Sequence, residues 1–365
     1  MKVHGKTYAR DELLERMGSV AQLGGTRHYT LSEGRAAGVR AVDFDTGAGL
    51  RFTVLPDRGL DISLASYKGT NLVHLTANGE VHPSYYEPQG LGWLRTFFAG
   101  LLTTCGLTYL GAPCNHDGEE LGLHGRYTNS PACRVCDLSG WEGDEYFLKL
   151  RGVVEESVLF GDKVRLTRTI SSHIGSRSLV IHDVAENFGY KTSPFTILYH
   201  INPGFPLLDD TSKLILSARD TAAYEDWASI DNLHRFSRPM EHCREENFHH
   251  TMAQDSEGFA YCAMVNPSLC DGLGLCVRFQ TDTLPFLNEW KMMGQGDYVV
   301  GIEPCNVPCR SRAALAKNGM LAVLEPGETR EMHVTISVLD GPEEIAVFAG
   351  QVEDIRRWVS TPNRS

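Results

Sequence analysis

The chain of 365 residues carries 34 Lys and Arg against 46 Asp and Glu, a formal net charge of -12. That balance excludes a polyanion as the main partner, because phosphate backbones are held by clustered cations, so no nucleic-acid partner is expected. A hydrophobic content of 42% can fill a large core, yet no apolar run approaches the roughly 20 residues needed to cross a bilayer, which excludes a helical membrane span.

Residues 10–18 place Leu13, Leu14 and Met17 at helical spacing before Gly18, so a short helix is expected there. From residue 39 the period changes to two. Residues 39–45 alternate apolar and polar, Thr46-Gly47-Ala48-Gly49 turns, and residues 50–55 alternate again, the pattern of a hairpin. Asp57-Arg58-Gly59 interrupts before a further strand at 60–65. Strand follows strand at 145–155, 162–170, 178–184, 194–200, 274–279 and 333–338. No long helical run separates them, which disfavours parallel βαβ units. A helix returns over 342–358, where Asp340, Pro342, Glu343 and Glu344 supply a cap, an early proline and first-turn acids ahead of Ile345, Phe348, Val352 and Ile355. No linker or repeat divides the chain. The expected fold is mainly β, one large antiparallel β-sandwich domain spanning 1–365 with short N-terminal and C-terminal helices. A homodimer through those helices stays open, since no residue pattern demands it.

The start, Met1-Lys2-Val3, leads into charged residues rather than a signal-peptide core, so the expected location is cytoplasmic, with no membrane partner. The ten cysteines are scattered through apolar strand-like segments and read as reduced and mostly buried. A four-thiolate zinc site from Cys133, Cys136, Cys305 and Cys309 is the alternative.

Four segments place chemically able side chains where a plain sandwich has no use for them: Arg95 among Trp93, Phe97 and Phe98; His124 in Leu123-His124-Gly125; His200 after Tyr199; and Glu303 after Val300-Gly301-Ile302. A histidine followed by glycine can stand free at a strand end, since glycine lets a ligand approach the backbone. A glutamate after an apolar run is desolvated, which raises its pKa toward the range useful for proton transfer. Each feature alone has a structural explanation as a hydrogen-bonded strand residue. Together, in this order, they resemble the aldose 1-epimerase (galactose mutarotase) superfamily. Leu123-His124-Gly125 resembles its Leu-His-Gly motif, His200 its second histidine, Glu303 with Pro308 its Glu-Thr-Gln-x-x-Pro glutamate, and Arg95 its substrate-binding arginine. Tyr199 stands where mutarotases proper have asparagine, and Pro304-Cys305 replaces Thr-Gln. The likeness is nearest to an aldose-epimerase-like branch whose substrates are unsettled.

The resemblance implies a sugar substrate, no metal and no cofactor. It implies Glu303 as base at the anomeric hydroxyl, His200 as acid at the ring oxygen, and His124 and Arg95 as groups that orient hydroxyls. An acidic group between His200 and Glu303 is implied too, unassigned among Asp209, Asp226 and Asp231. Trp290 is the candidate aromatic platform, with Trp93 beside it. Arg58 is a further substrate-binding candidate, or else the partner of Asp61 in a surface ion pair. The cations Arg310, Arg312 and Lys317 would suit a phosphorylated or acidic sugar. The competing functions are a metal-assisted sugar isomerase holding an ion on His124, His200 and Glu303, and a non-catalytic sugar-binding protein or sensor. His249 and His250 would point to opposite faces of a strand.

Overall fold

Period-two alternation becomes sheet wherever the sequence carries it. The computed structural model describes residues 1–3 and 5–360, so residues 4 and 361–365 of the expected span lie outside the described residues. In Lys163–His173 and Ser178–Asn187 buried and half-buried residues alternate without interruption. Each strand therefore gives one face to the core and the other to solvent. The two pair antiparallel, with Ile170 opposite Ile181 and Thr169 opposite His182.

Three larger sheets result. The nine-stranded sheet runs in the order Cys133–Asp137, Glu145–Ser157, Lys163–His173, Ser178–Asn187, Thr329–Asp340, Leu273–Gln280, Phe259–Asn266 and Lys213–Leu216, with Gly140–Glu142 pairing off that path. The six-stranded sheet runs Ala218–Ala223, Glu246–Met252, Phe286–Met293, Tyr298–Cys305, Thr196–His200 and Thr103–Leu107. A five-stranded sheet joins Gly25–Thr30, Arg40–Asp45, Leu50–Leu55, Asp61–Tyr67 and Thr70–Asn71. One apolar cluster draws on all three, including Phe44 and Ile62, Leu166 and Ile181, and Ile197 and Val300. Burying each such side chain contributes about 1.5–3 kcal/mol, so this shared core is what holds the layers together.

A buried arginine fastens the same layers with polar contacts. Arg168 donates to Asp183 at 2.9 and 2.7 Å, to Asp61 at 2.9 Å and to the Thr104 hydroxyl at 2.9 Å. Tyr199 completes the group by donating its hydroxyl proton to Asp183 at 2.7 Å. Asp61 is thus the partner of Arg168, not of Arg58, and the expected surface pair does not form.

The helices differ from expectation in extent. The N-terminal one covers only Arg10–Leu14 and buries Leu13 alone, too little apolar contact to extend a helix that is marginal at this length. The C-terminal one runs Pro342–Ser360 and lays Phe348, Val352 and Ile355 over Tyr261, Val265 and Cys276. A further short helix, Arg312–Lys317, was not foreseen. Ser311 caps it by accepting from the Ala314 amide at 3.3 Å, and Arg312 is buried against Glu119 at 3.0 Å rather than offered to a ligand. Only Cys105, Cys262, Cys276 and Cys305 are buried, while Cys133, Cys136 and Cys270 are exposed. Among the described residues, Cys133, Cys136, Cys305 and Cys309 do not converge into a metal-ligand group.

Candidate functional site

Alternation sorts the residues of the six-stranded sheet onto two faces. Ile197, Tyr199, Val300 and Ile302 face the shared core. Leu198, His200, Gly301, Glu303 and Cys305 therefore face the other way. Thr196–His200 and Tyr298–Cys305 are neighbouring strands, joined at Leu198 opposite Cys305. This brings His200 Nε2 to 3.0 Å from Glu303 Oε1. Both are deeply buried, at 4% and 1% exposure. Asn288 lies directly opposite Glu303 on the next strand and donates to its Oε2 at 2.6 Å. Gly301 is required beside them, since a Cβ there would stand 2.3 Å from Glu303 Oε1 and 3.1 Å from His200 Cε1.

His124 arrives from a loop and holds a left-handed backbone with φ of 57°. Its amide donates to the Gly111 carbonyl at 2.9 Å and its carbonyl accepts from Gly106 at 3.1 Å, so the strained conformation is fixed on both sides. Gly125 must follow, because a Cβ there would lie 2.2 Å from the Gly106 carbonyl oxygen. The His124 ring stands edge-on to His200 with centroids 6.1 Å apart. Aromatic rings frame the two: Trp93 lies 4.8 Å from His124, Phe97 5.2 Å from His200 and Trp290 5.5 Å from His200. Trp290 is held by its indole N–H, which donates to Glu245 at 2.8 Å. Trp93 is buried beneath the histidine, whereas Trp290 and His124 keep partial exposure.

Burial sets the electrostatics. It pushes the Glu303 carboxyl up to about 8, and the charges of Glu245 and Glu289 add to this against the hydrogen bond from Asn288. It pushes His200 down to about 3, helped by His124, and His124 down to about 4. The short contact between Glu303 and His200 is therefore a neutral pair holding one proton at ordinary pH, not a salt bridge. Beside that shared proton, His200 Nδ1, His124 Nδ1 and Asn288 Oδ1 are buried without a hydrogen-bond partner. Unmet polar atoms cost about 1–3 kcal/mol each, and such atoms converging on one spot suit a polar ligand.

The structure thus brings together His124, His200, Glu303 and Trp290. Arg95 ends the tight turn Gly92–Arg95 that also carries Trp93. Its exposed guanidinium lies 3.2 Å from Glu87, at the edge of this neighbourhood rather than against the pair. Arg58 does not join the site. It is fully buried and donates to the carbonyls of Thr128, Val81 and Thr96 at 2.7, 2.7 and 2.9 Å, so it organises loops and has no surface on which to meet a substrate. The carboxylates felt most by Glu303 are Glu245 and Glu289, not Asp209, Asp226 or Asp231. Among the described residues, the ligand atoms of His124, His200 and Glu303 do not close into a metal-binding group.

Asn288 was not singled out from the sequence, while His249 and His250 stand in one strand, Glu246–Met252, and take opposite faces as expected. His249 pairs with Asn288 across the strands and shares the Glu303 face, while His250 takes the opposite face. Its Nε2 is buried without a partner, beside a Tyr224 ring over which Arg310 stacks at 3.5 Å. The alternation around Trp290 was the available signal for Asn288.

Residues 36–338 match the model of a domain of unknown function, DUF4432. No curated protein sequence matches the chain. Among solved structures, a candidate aldose 1-epimerase from Klebsiella pneumoniae superposes with a TM-score of 0.86 over 96% of each chain at 23% identity. A galactose mutarotase-like protein from Clostridium acetobutylicum gives 0.60 over 87% of this chain and 99% of its own at 13% identity. A galactose 1-epimerase from Lactobacillus acidophilus gives 0.56 over 87% and 100% at 12% identity. At these identities the likeness shows the fold, the β-sandwich of galactose mutarotase-like proteins.

Proposed function

Since this chain belongs to the DUF4432 family and folds as a galactose mutarotase-like β-sandwich, we propose that it is an aldose 1-epimerase, an isomerase that interconverts the anomers of a sugar by acid/base ring opening. The observation that carries this reading is the buried Glu303–His200 pair, 3.0 Å apart and sharing one proton.

Mutarotation needs one group to take the proton of the anomeric hydroxyl while another gives one to the ring oxygen. A sugar hydroxyl donating to Glu303 favours the carboxylate, with the shared proton moved to His200. Glu303 then removes the hydroxyl proton, the bond from C1 to the ring oxygen breaks, and His200 protonates that oxygen. The new carbonyl end rotates. Closure on the other face returns the proton from Glu303 to O1 and delivers the ring hydroxyl's proton to His200, so the pair ends as it began. Each transfer typically contributes about 10²–10⁴-fold. His124 and Asn288 have unmet polar atoms beside the pair and orient the hydroxyls, and neutral imidazoles can both give and accept hydrogen bonds. Arg95 binds from the rim, and the partly exposed Trp290 ring offers its face to the C–H side of a pyranose.

The corresponding proposal for the whole chain is a single-domain cytoplasmic enzyme whose ring-opening chemistry uses neither metal nor cofactor. Among the described residues no helix is long and apolar enough to cross a membrane. The test is NMR magnetisation exchange between the anomers of a panel of free aldoses and aldose 6-phosphates. Exchange above the buffer rate on at least one sugar supports the reading, and buffer rates throughout, with the sugars bound, leave a binding protein in its place.

A further inference from the structure

The face of the nine-stranded sheet turned away from the core carries a second polar cluster. His182 and His333 are directly opposite one another on the adjacent strands Ser178–Asn187 and Thr329–Asp340. Glu331 precedes His333 by two residues and so shares its face. That face is the outer one, because the intervening residue on the first strand, Asp183, points inward to Arg168 and Tyr199. The two imidazoles stack with centroids 4.3 Å apart and planes 8° from parallel. Glu331 Oε2 lies 3.3 Å from His182 Nε2 and 3.9 Å from His333 Nε2. All three ligand atoms fall within 4.8 Å of one another, the one group of three among the described residues that does so.

A tetrahedral ion with bonds of about 2.0–2.1 Å holds its ligand atoms about 3.3 Å apart. One carboxylate edge of this triangle already has that length and the other is about 0.6 Å longer, and the two stacked imidazoles must turn about their side-chain torsions so that both Nε2 lone pairs point at one ion. Both histidines stand on strands paired on each side, which fixes their Cβ positions. They are 37% and 38% exposed and Glu331 62%, so an ion can enter from solvent and keep a water as its fourth ligand. Neutral imidazole is the ligating form, and burial together with the neighbouring His182 lowers the His333 pKa in that direction. The negative charge of Asp282, which also reaches His333, favours a cation on this face.

We propose that His182, His333 and Glu331 form a binding site for one divalent transition-metal ion of the zinc class, on the outer face of the nine-stranded sheet and independent of the Glu303–His200 pair, which stands on the six-stranded sheet. Two imidazole nitrogens and one carboxylate suit zinc, cobalt and nickel, and disfavour calcium and magnesium, which take all-oxygen sites. The bound ion ties two central strands of the nine-stranded sheet together, so it stabilises the folded chain by binding it in preference to the unfolded one.

The test is calorimetric titration of the full chain with zinc chloride after alkylation of its exposed thiols, beside His182→Ala, His333→Ala and the milder His182→Gln. One ion per chain is expected, with a dissociation constant weakened at least about tenfold in every variant and a raised melting temperature for the wild type alone. Cobalt should give the visible spectrum of a four-coordinate ion without a thiolate charge-transfer band. Zinc binding of equal strength in wild type and folded variants, or no binding by the wild type at millimolar zinc, overturns the site. Neither result depends on sugar chemistry.

Discussion

Replacing Glu289 by Gln isolates the energetic consequence of burying a carboxyl in this core. Glu289 lies one residue from Asn288, so it points to the other face of the sheet, opposite Phe248 and Ile302. It is fully buried, neither oxygen has a hydrogen-bond partner, and His250 Nε2 stands 3.4 Å away. Burial pushes its carboxyl up from 4.5 to about 8, against the pull of the Lys291 charge. A pKa raised on folding means that the unfolded chain gives up its proton first as pH rises. The stability linked to Glu289 is therefore complete below about 4.5 and is lost progressively up to about 8. The slope is about 1.4 kcal/mol per pH unit, which amounts to ~3 kcal/mol by pH 7. Gln has no proton to lose. Urea unfolding followed by tryptophan fluorescence should show the Gln variant gaining on wild type by about 2.5 kcal/mol between pH 5 and pH 7. Parallel stability curves for the two proteins across that range would refute the raised carboxyl.

The same logic gives the pH dependence of anomer exchange. Catalysis needs one proton on the Glu303–His200 pair, so rates measured by polarimetry should hold from pH 5 to 7 and fall about tenfold per unit above about 8; a rate still climbing at pH 9 contradicts it. Arg168→Met leaves Asp61 and Asp183 buried without their cation and should lower stability by about 3–5 kcal/mol in urea titrations, and a change below about 1 kcal/mol would mean that the arginine does not hold the layers together. Gly301→Ala pushes a methyl toward Glu303 Oε1, so it should cut exchange at least about tenfold while the circular dichroism spectrum stays unchanged; full activity would show that the pair can yield.

Much of the fold was legible because alternation is a local property. Residues 178–184 announce a strand with one buried face and lie in Ser178–Asn187, while residues 50–55 form the strand Leu50–Leu55, in which all but Arg51 are buried. Pro342 with its following acids fixed the start of the last helix. The missed Arg312–Lys317 helix is short, and its cations masked an apolar side formed by Leu315. The side-chain environments were less legible, because they depend on what folds opposite. Arg58 and Arg168 both stand among apolar and polar neighbours in sequence, yet one meets three carbonyls and the other two carboxylates. Nothing along the chain tells these apart. Asn288 faces Glu303 only because the two strands pair in one register, and a slip of one residue would have set Glu289 there instead. His124, His200 and Glu303 were found by their likeness to motifs, while their spacing of tens of residues says nothing of the distances between them.

The most direct measurement is the anomer-exchange rate of Glu303→Gln beside wild type, on a sugar the wild type turns over, with folding checked by circular dichroism. Gln keeps the shape and the contact with Asn288 but cannot carry the proton, so exchange should fall by at least about 10²-fold with the spectrum unchanged. A folded Gln variant that exchanges anomers at the wild-type rate would contradict proton transfer through Glu303.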